Sequence, residues 1–166
     1  MSVHIEKTLV LLKPDAVQRG IMGKVITRFE DVGLKIIGMK LVQSDKDMAG
    51  EHYDEDVAKR RGDHVRNRAM DLLLSGPVLA MVIEGVNAVE NVRKMCGTTE
   101  PMSAPPGTIR GDFSHVSYGH CDEKEIAIRN IIHASGDKEY AKKEIKIWFT
   151  PEEIFDYKAV HEMHTR

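Results

Sequence analysis

Four short apolar runs, separated by segments of helical periodicity, constrain the fold more than any other feature of this sequence. They are residues 8–13 (TLVLLK), 34–42 (LKIIGMKLV), 77–85 (PVLAMVIEG) and 130–134 (NIIHA). Their length, their aliphatic composition and the turn-forming residues near their ends predict β-strands. The first strand ends at Lys13, just before Pro14 and Asp15.

The segments between these strands predict helices. Helices are predicted over residues 24–32, 44–53, 57–74 and 87–96 and from residue 137 onward, and a loop is predicted over 97–112. Gly33 is well placed to end the first helix, Ser44 or Asp45 can cap the second, and Asp137 opens the last. This order of elements suits an α+β sandwich built from a doubled split βαβ unit, although an α/β sheet of another strand order also fits the periodicity.

The composition limits the classes of function. With 166 residues, of which 42% are hydrophobic and 30% charged, the chain is typical of a globular protein, and we expect one domain over residues 1–166. The net charge of -2 argues against a protein that coats nucleic acid. No segment approaches the ~18 consecutive apolar residues that a membrane span needs. Two cysteines and a start without a signal-like apolar stretch predict a cytoplasmic protein.

Two common phosphate-binding motifs are absent. The stretch GIMGKV has two residues between its glycines where a P-loop needs four, and Val25 stands where a Ser or Thr would hold magnesium. No GxGxxG lies between a predicted strand and a helix, so the dinucleotide-binding fingerprint is missing too. If this chain binds phosphates, side chains must therefore do much of the binding.

Four side chains are candidates for that role: Lys13 at a strand end, Arg93 on a predicted helix, Thr99 in GTTEP and Arg110 in PGTIRGD. Arginine can donate two parallel hydrogen bonds to a phosphate, and lysine supplies a compact charge. Each residue taken alone also has a structural interpretation, as strand-end solvation, an exposed helix face or a tight turn. Their convergence in the fold would indicate a site.

His133 lies in the fourth predicted strand, where a histidine is often a hydrogen-bonded core residue. Glu144 on the last predicted helix changes that expectation. Its carboxylate could accept a hydrogen bond from one ring nitrogen, fix the tautomer and leave the other nitrogen free to attack an electrophile. The alternative for Glu144 is a solvated charge among Lys142, Lys143 and Lys146.

Four segments together resemble the nucleoside diphosphate kinase family: LLKPDAVQRG, SGPVLAMVIEG, PGTIRGDF and RNIIHASG, in this order and at nearly the family's spacings. The similarity extends over almost the whole chain, from about Lys7 to IWFTPEEIFDY. It implies an α+β fold, a ferredoxin-like α/β sandwich with a four-stranded antiparallel sheet covered by helices. It also implies a ping-pong reaction, in which a nucleoside triphosphate gives its terminal phosphoryl group to a histidine and a second diphosphate collects it.

The resemblance implies roles for individual residues. His133 matches the phosphorylated nucleophile, Glu144 the carboxylate that orients it, and Lys13 a residue near the transferring phosphate. Ser135 matches the hydroxyl beside the histidine, and Asp112 resembles a structural member of its motif. The nucleotide-binding positions match Lys13, Tyr53, Arg93, Thr99, Arg110 and Asn130, of which Lys13 and Asn130 would reach the sugar hydroxyls and Arg93, Thr99 and Arg110 the phosphates.

The resemblance further implies Mg2+ as the cofactor and nucleoside triphosphates and diphosphates as substrates. Magnesium would be held mainly by nucleotide phosphates and water, which explains why the sequence has no evident ligand cluster. We expect a homo-oligomer, with a hexamer favoured over a tetramer or dimer, and neither a membrane nor a nucleic-acid partner. Phosphoryl transfer mainly needs in-line positioning and charge neutralisation, which two arginines, a lysine and a bound metal can supply.

Two segments depart from the family's pattern, and both concern the nucleotide pocket. The family usually carries a phenylalanine between Tyr53 and Ser75, on which the base stacks, but this segment has no Phe, Tyr or Trp. His64 is a candidate flat ring in its place, with an exposed helical histidine as the alternative. The second departure is an insertion, SHVSYGHCDEKEIAI over residues 114–128, which could line the pocket or lie at a subunit interface.

The insertion also contains potential metal ligands, His115, His120, Cys121 and Asp122, and the chain ends near HEMH. The first set lacks the spacing of a closed zinc site, and the second lacks the order of HExxH. The sequence therefore does not predict a protein-held metal.

A second hypothesis is a nucleotide- or nucleic-acid-binding regulatory protein on the same fold, with little turnover. It is motivated by the changed base wall and by the basic run Lys59, Arg60, Arg61, Arg66 and Arg68. Such a protein would bind nucleic acid in a salt-sensitive manner. The near-neutral charge and the complete catalytic set argue against it.

Overall fold

A four-stranded antiparallel sheet lies at the centre of the fold, which is given by a computed structural model that describes residues 4–165. The strands are β1 (Ile5–Leu12), β2 (Lys35–Val42), β3 (Val78–Val86) and β4 (Ile132–Ala134), in the spatial order β2-β3-β1-β4. Each neighbouring pair is antiparallel. The predicted ferredoxin-like sandwich is therefore confirmed against the other strand order that periodicity allowed.

Helices cover the sheet and its loops. They are α1 (Pro14–Gln18), α2 (Met22–Asp31), α3 (Lys46–His52), α4 (Glu55–Arg61), α5 (Asp63–Leu74), α6 (Ala88–Cys96), α7 (Ile109–Phe113), α8 (Tyr118–Glu123), α9 (Lys138–Trp148) and α10 (Glu162–Thr165). Short 3-10 turns occupy Pro101–Ser103 and Pro151–Glu153. Among the described helices, none combines the length and apolar character that a membrane crossing requires.

Both faces of the sheet are buried along most of the central strands β1 and β3, which are apolar on both sides. Successive side chains of a strand point to opposite faces. Leu12 packs into a cluster that includes Phe29 of α2, whereas Leu11 packs into a second cluster that includes Trp148 of α9. This two-sided burial explains the nearly continuous apolar run of β3.

The prediction of one helix over residues 57–74 is wrong, because the structure has two helices there, α4 and α5. Gly62 separates them with a φ of 91°, a backbone conformation that side chains with a Cβ rarely adopt. The N–H of Gly62 bonds to the carbonyl of Ala58 and closes α4. Charged residues continue on both sides of the glycine, so the residue pattern did not reveal the break.

Other differences lie at the ends of elements. β1 begins at Ile5 rather than at residue 8, and α1 follows it directly, starting at Pro14. The segment over 97–112, predicted as loop, contains a 3-10 turn and the start of α7. The insertion contributes α8.

Two predicted helix starts are confirmed by their capping bonds. The carboxylate of Asp137 accepts from the N–H groups of Glu139 and Tyr140 at the start of α9. Asp45, rather than Ser44, caps α3 by accepting from the N–H of Met48. These bonds satisfy N–H groups that have no partner within the helix.

Candidate active site

The short strand β4 directs His133 toward α9. His133 lies opposite Leu11 in the β1–β4 register, and directly paired residues of antiparallel strands point to the same face. Leu11 belongs to the cluster on the α9 side, whereas Ile132 and Ala134 belong to the cluster on the other side. The imidazole is therefore held against a helix and not buried among the aliphatic side chains of its own strand.

Glu144 of α9 binds the imidazole as the sequence predicted. His133 Nε2 lies 2.9 Å from Glu144 Oε2, and the Ser135 hydroxyl donates to the same oxygen at 2.6 Å. Burial by itself raises the pKa of Glu144, but His133, His52 and the Ser135 hydroxyl outweigh it and the pKa is lowered. An ionised carboxylate only accepts hydrogen bonds, so His133 Nε2 carries a proton and, in the neutral ring, Nδ1 carries the free lone pair.

Lys13 and Asn130 form the opposite side of the site. Lys13 Nζ donates to Asn130 Oδ1 at 2.8 Å, and Asn130 Nδ2 donates to the carbonyl of Thr99 at 2.7 Å. Burial lowers the pKa of Lys13 to about 8, with a raising effect of Asp15 and a further lowering by Arg110. The lysine predicted at a strand end is thus a buried cation with one amide partner.

A strained turn precedes His133. The N–H of Ile132 bonds to the carbonyl of Asn130 at 2.7 Å, and Ile131 between them has a φ of 72°. This is γ-turn geometry, which is costly for a β-branched residue. The N–H of Ile131 is fixed by Asp15 Oδ2 at 3.0 Å. The turn shortens the predicted fourth strand to Ile132–Ala134.

The buried guanidinium of Arg110 fastens this turn to the loop after α6. Its bonds go to four backbone carbonyls: Gly97 at 2.7 Å, Thr98 at 3.2 Å, Asn130 at 3.3 Å and Ile132 at 2.6 Å. Burial lowers the pKa of Arg110, but a guanidinium remains protonated. Arg110 therefore holds two segments of the site together, a role that the sequence had not indicated.

Three further predicted residues lie around this centre. Arg93 on α6 and Thr99 in the following loop are exposed, and Thr99 is tied to the site by its carbonyl bond to Asn130. Tyr53 is half-buried after α3, and burial raises the pKa of its phenol. Asp112 accepts from Arg28 at 2.8 Å and from the Gly107 N–H at 2.7 Å, contacts that fit the structural role expected of it.

Sequence reasoning missed His52, the last residue of α3. Its buried ring lies 4.4 Å from the ring of His133, centroid to centroid, at an interplanar angle of 80°. Trp148 Nε1 donates to His52 Nδ1 at 3.3 Å. A histidine next to Tyr53 at a helix end carries no motif, so nothing in the sequence marks this contact.

A cleft of about 330 Å³ opens between α5 and the insertion and reaches Lys13. Its walls include the apolar side chains of Leu72, Ile126 and Ile128 and the ring of Tyr118. His64 also lines the cleft but is an exposed residue. The insertion therefore borders the same cavity as the candidate site.

The potential metal ligands of the insertion do not converge. Within residues 4–165, the cluster of three potential ligands is His52, His133 and Glu144, with one donor atom of each within 4.8 Å of the others. Two imidazoles and one carboxylate do not fit Mg2+, which prefers six oxygen ligands.

The basic run is engaged in contacts within the molecule. Lys59 pairs with Asp56, Arg60 lies over the ring of Tyr140, Arg61 contacts the Tyr118 hydroxyl, Arg66 donates to the carbonyl of Tyr53 and Arg68 contacts Asp122. These contacts do not favour a dedicated nucleic-acid surface.

The fold and its relatives define the class of this protein, a phosphotransferase with a ferredoxin-like sandwich. The sequence model described as nucleoside diphosphate kinase matches residues 6–154, and the chain belongs to the nucleoside diphosphate kinase family. The resemblance stated from its motifs is thereby confirmed.

Relatives support this assignment over nearly the whole chain. A nucleoside diphosphate kinase of Borreliella burgdorferi is 46% identical over 155 residues, covering 93% of each chain. One from Pyrococcus furiosus is 48% identical over 154 residues, covering 93% of this chain and 89% of the relative.

Solved structures agree. A transition-state mimic of the nucleoside-diphosphate kinase from Borrelia burgdorferi, with bound vanadate and ADP, superposes with a TM-score of 0.97 at 44% identity, covering 99% of this chain and 98% of that chain. A halophilic enzyme from Halobacterium salinarum in complex with CDP gives a TM-score of 0.82 at 37% identity, covering 96% of this chain and 97% of that chain.

Proposed function

We propose that this protein is a nucleoside diphosphate kinase that works by a ping-pong mechanism through a phosphohistidine on His133. One observation carries the proposal: Glu144 occupies Nε2 of the imidazole at 2.9 Å, so the lone pair of the neutral ring is on Nδ1. A fixed tautomer suits attack on a phosphoryl group, and the guanidinium of Arg110, bonded to the carbonyl of Ile132, supplies positive charge next to the strand that carries His133.

In the first half-reaction, the Nδ1 lone pair attacks the terminal phosphorus of a nucleoside triphosphate. A P–N bond forms, the bond to the bridging oxygen breaks, and the diphosphate leaves with that electron pair. Positive charge that develops on the ring is stabilised by the Glu144 carboxylate at Nε2. In the second half-reaction, a terminal oxygen of another diphosphate attacks the same phosphorus, and the P–N bond electrons return to Nδ1.

The surrounding polar groups suit nucleotide binding. Lys13 and Asn130, joined at 2.8 Å, present a cation and an amide to the sugar hydroxyls, with Lys13 also near the transferring phosphate. Arg93, Thr99 and Arg110 would bind the phosphates, and Tyr53 would border the nucleotide. Mg2+ would enter on the nucleotide and neutralise charge on its phosphate oxygens.

The cleft beside Lys13 suits the nucleoside base. Its volume of about 330 Å³ and apolar walls are adequate for a flat ring system. Tyr118 is the better candidate for stacking, because its ring is half-buried and its hydroxyl contacts Arg61 at 3.4 Å, whereas His64 is exposed. The insertion would thus replace the missing phenylalanine.

Replacing Tyr118 should therefore weaken nucleotide binding more than turnover. We expect Tyr118→Ala to raise KM by roughly 5- to 150-fold, since a base–aromatic stack contributes about 1–3 kcal/mol. Tyr118→Phe keeps the ring and is the matched control, and His64→Ala should have little effect. Steady-state kinetics on all three variants are the measurement, and an unchanged KM in Tyr118→Ala would contradict this assignment.

The lowered pKa of Lys13 predicts an alkaline limit to activity. The lysine is protonated below a pKa of about 8 and loses its charge as the pH rises through that value. Because kcat/KM reports ionisations of the free enzyme, it should fall above about pH 8. Lys13→Arg keeps the charge at higher pH, so its profile should lack this limb even if its rate is lower. The same limb in both profiles would count against Lys13 as its origin.

We also propose that residues 1–166 form one domain that assembles into a homo-oligomer, a hexamer rather than a tetramer or dimer, in the cytoplasm. The edge strand β2 exposes Met39 and Leu41, with 54% and 57% of their surfaces accessible, which supports a self-association surface. Light scattering on the purified protein would measure the subunit number.

The function is tested by isolating the phosphorylated protein after exposure to ATP and Mg2+ and then adding a different nucleoside diphosphate. We expect one equivalent of the new triphosphate and a return to the unmodified protein. If the protein binds the nucleotide but does not transfer a phosphoryl group, the regulatory alternative is favoured instead. Binding to nucleic acid, measured across a salt series, would then test that alternative.

A further inference from the structure

We infer that His52 is a positioning residue, whose neutral ring, fixed by Trp148, holds the imidazole of His133 in the orientation that offers Nδ1 to the phosphoryl group. The inference rests on the proposed function and adds to it a residue outside the set that the family's motifs identify.

The first support is the packing of the two rings. His52 is 6% exposed, and its ring meets that of His133 nearly at right angles at 4.4 Å. Glu144 restrains the imidazole through a single hydrogen bond at Nε2, about which the ring can still tilt. The edge-to-face contact with His52 restricts that tilt, because close-packed aromatic rings cannot rotate past each other without displacing neighbours.

The tautomer of His52 follows from its other contact. The indole of Trp148 can only donate, so His52 Nδ1, at 3.3 Å, must accept and cannot carry a proton. The neutral ring therefore carries its proton on Nε2. A second proton on this ring would face the Trp148 N–H directly.

Both nitrogens of His52 show that this ring is more than ordinary core packing. Within the part of the chain that the structure describes, His52 Nε2 is buried and has no hydrogen-bond partner. Leaving a buried donor unsatisfied costs free energy, and a phenyl ring would avoid that cost only by leaving the Trp148 N–H unpaired. The ring retained here is thus one that both accepts from Trp148 and adjoins the reacting imidazole.

The charges around His52 also require it to remain neutral. The groups that face it are His133 of β4, Glu144 of α9 and Lys13 at the end of β1, with the phenol of Tyr53 beside it. Burial, followed by His133, lowers the pKa of His52 well below its usual value. A cation here would compete with His133 for Glu144 and oppose the positive charge that develops during attack.

The same contacts argue against a transition-metal site formed by His52, His133 and Glu144. Each histidine already has one nitrogen in a hydrogen bond, to Trp148 and to Glu144 respectively. A metal at His52 Nε2 would displace its proton, and the neutral ring would then need a proton on Nδ1, against the Trp148 donor.

Two substitutions separate positioning by the ring from a merely structural role. His52→Asn keeps an acceptor for Trp148 but removes the ring, whereas His52→Phe keeps a ring but leaves the indole N–H unpaired. Positioning by the ring predicts that His52→Asn slows phosphorylation of His133 by roughly 10- to 100-fold and that His52→Phe slows it less. The nucleotide KM should change little, because His52 does not line the cleft. His120→Asn, at an exposed histidine, is the control.

A third variant tests the fixed tautomer without changing His52. Trp148→Phe removes the donor and frees Nδ1, so the ring can take a second proton at higher pH than in the unmodified protein. That cation disfavours attack. As the pH is lowered, the single-turnover rate should therefore begin to fall at a higher pH than it does in the unmodified protein.

The measurement is the rate of phosphohistidine formation in a quenched single turnover across pH, with thermal unfolding recorded for each variant. A rate for His52→Asn equal to that of the unmodified protein, or a larger loss in His52→Phe, would overturn the inference. If His52→Asn does not fold, an unshifted acid limb in Trp148→Phe would overturn it. Absence of phosphohistidine in the unmodified protein would refute the proposed function instead, so the two failures are distinguishable.

Discussion

His133→Asn is expected to form no phosphohistidine and to lose phosphoryl exchange by roughly 10⁴-fold or more, the scale on which removal of a catalytic nucleophile acts. Asparagine is polar and of similar width, so it fits the half-buried position between β4 and α9. It has no nitrogen lone pair that can form a P–N bond. The loss should therefore appear in kcat for every diphosphate acceptor.

The controls for this substitution separate chemistry from folding. His120→Asn removes an exposed imidazole from the insertion and should leave exchange unchanged. Nucleotide affinity, measured by equilibrium binding of ADP, should be retained in His133→Asn, because Lys13, Asn130 and the cleft remain. Exchange at the original rate in His133→Asn would refute the assignment of the nucleophile.

Arg110→Lys is expected to lower the free energy of unfolding by about 3 kcal/mol or more and to reduce exchange. The guanidinium binds four backbone carbonyls, those of Gly97, Thr98, Asn130 and Ile132. A lysine ammonium cannot reach all of these directions at once, and each lost bond from a charged donor is worth about 1.5–3 kcal/mol. Loss of the hydrogen bonds to the carbonyls of Asn130 and Ile132 would also remove the contacts that hold the strained turn at Ile131.

Urea denaturation measures this effect, with Arg93→Lys as the matched control. Arg93 is exposed on α6, so the same exchange there should change the free energy of unfolding by less than about 0.5 kcal/mol. A midpoint for Arg110→Lys equal to that of Arg93→Lys would show that the carbonyl contacts do not stabilise the fold.

Much of the fold was predictable because its signals are local. Apolar runs with turn residues at their ends identified all four strands, and Asp137 identified the start of α9 through its capping side chain. The break at Gly62 was missed because a single glycine within a charged helical pattern is a weak signal. The shortened β4 was missed because a γ-turn at an isoleucine contradicts the intrinsic preference of that residue.

Part of the candidate site was likewise predictable from the sequence, and part was not. The dyad of His133 and Glu144 could be anticipated from residue types and from the family's motifs, and its hydrogen bond now has a length of 2.9 Å. The contact of His52 with Trp148 joins residues 96 positions apart that carry no motif. The involvement of Tyr118 depends on how an insertion folds back on α5. Such pairings are set by tertiary packing, which periodicity does not encode.

The role of His133 is tested most directly by intact-protein mass spectrometry after brief exposure to ATP and Mg2+, followed by peptide mapping under conditions that preserve phosphohistidine. We expect one added phosphoryl group per chain, located on His133 and removed on addition of a nucleoside diphosphate. No added mass, or a modification on another residue that persists after the diphosphate is added, would contradict the claim that His133 carries the phosphoryl group between nucleotides.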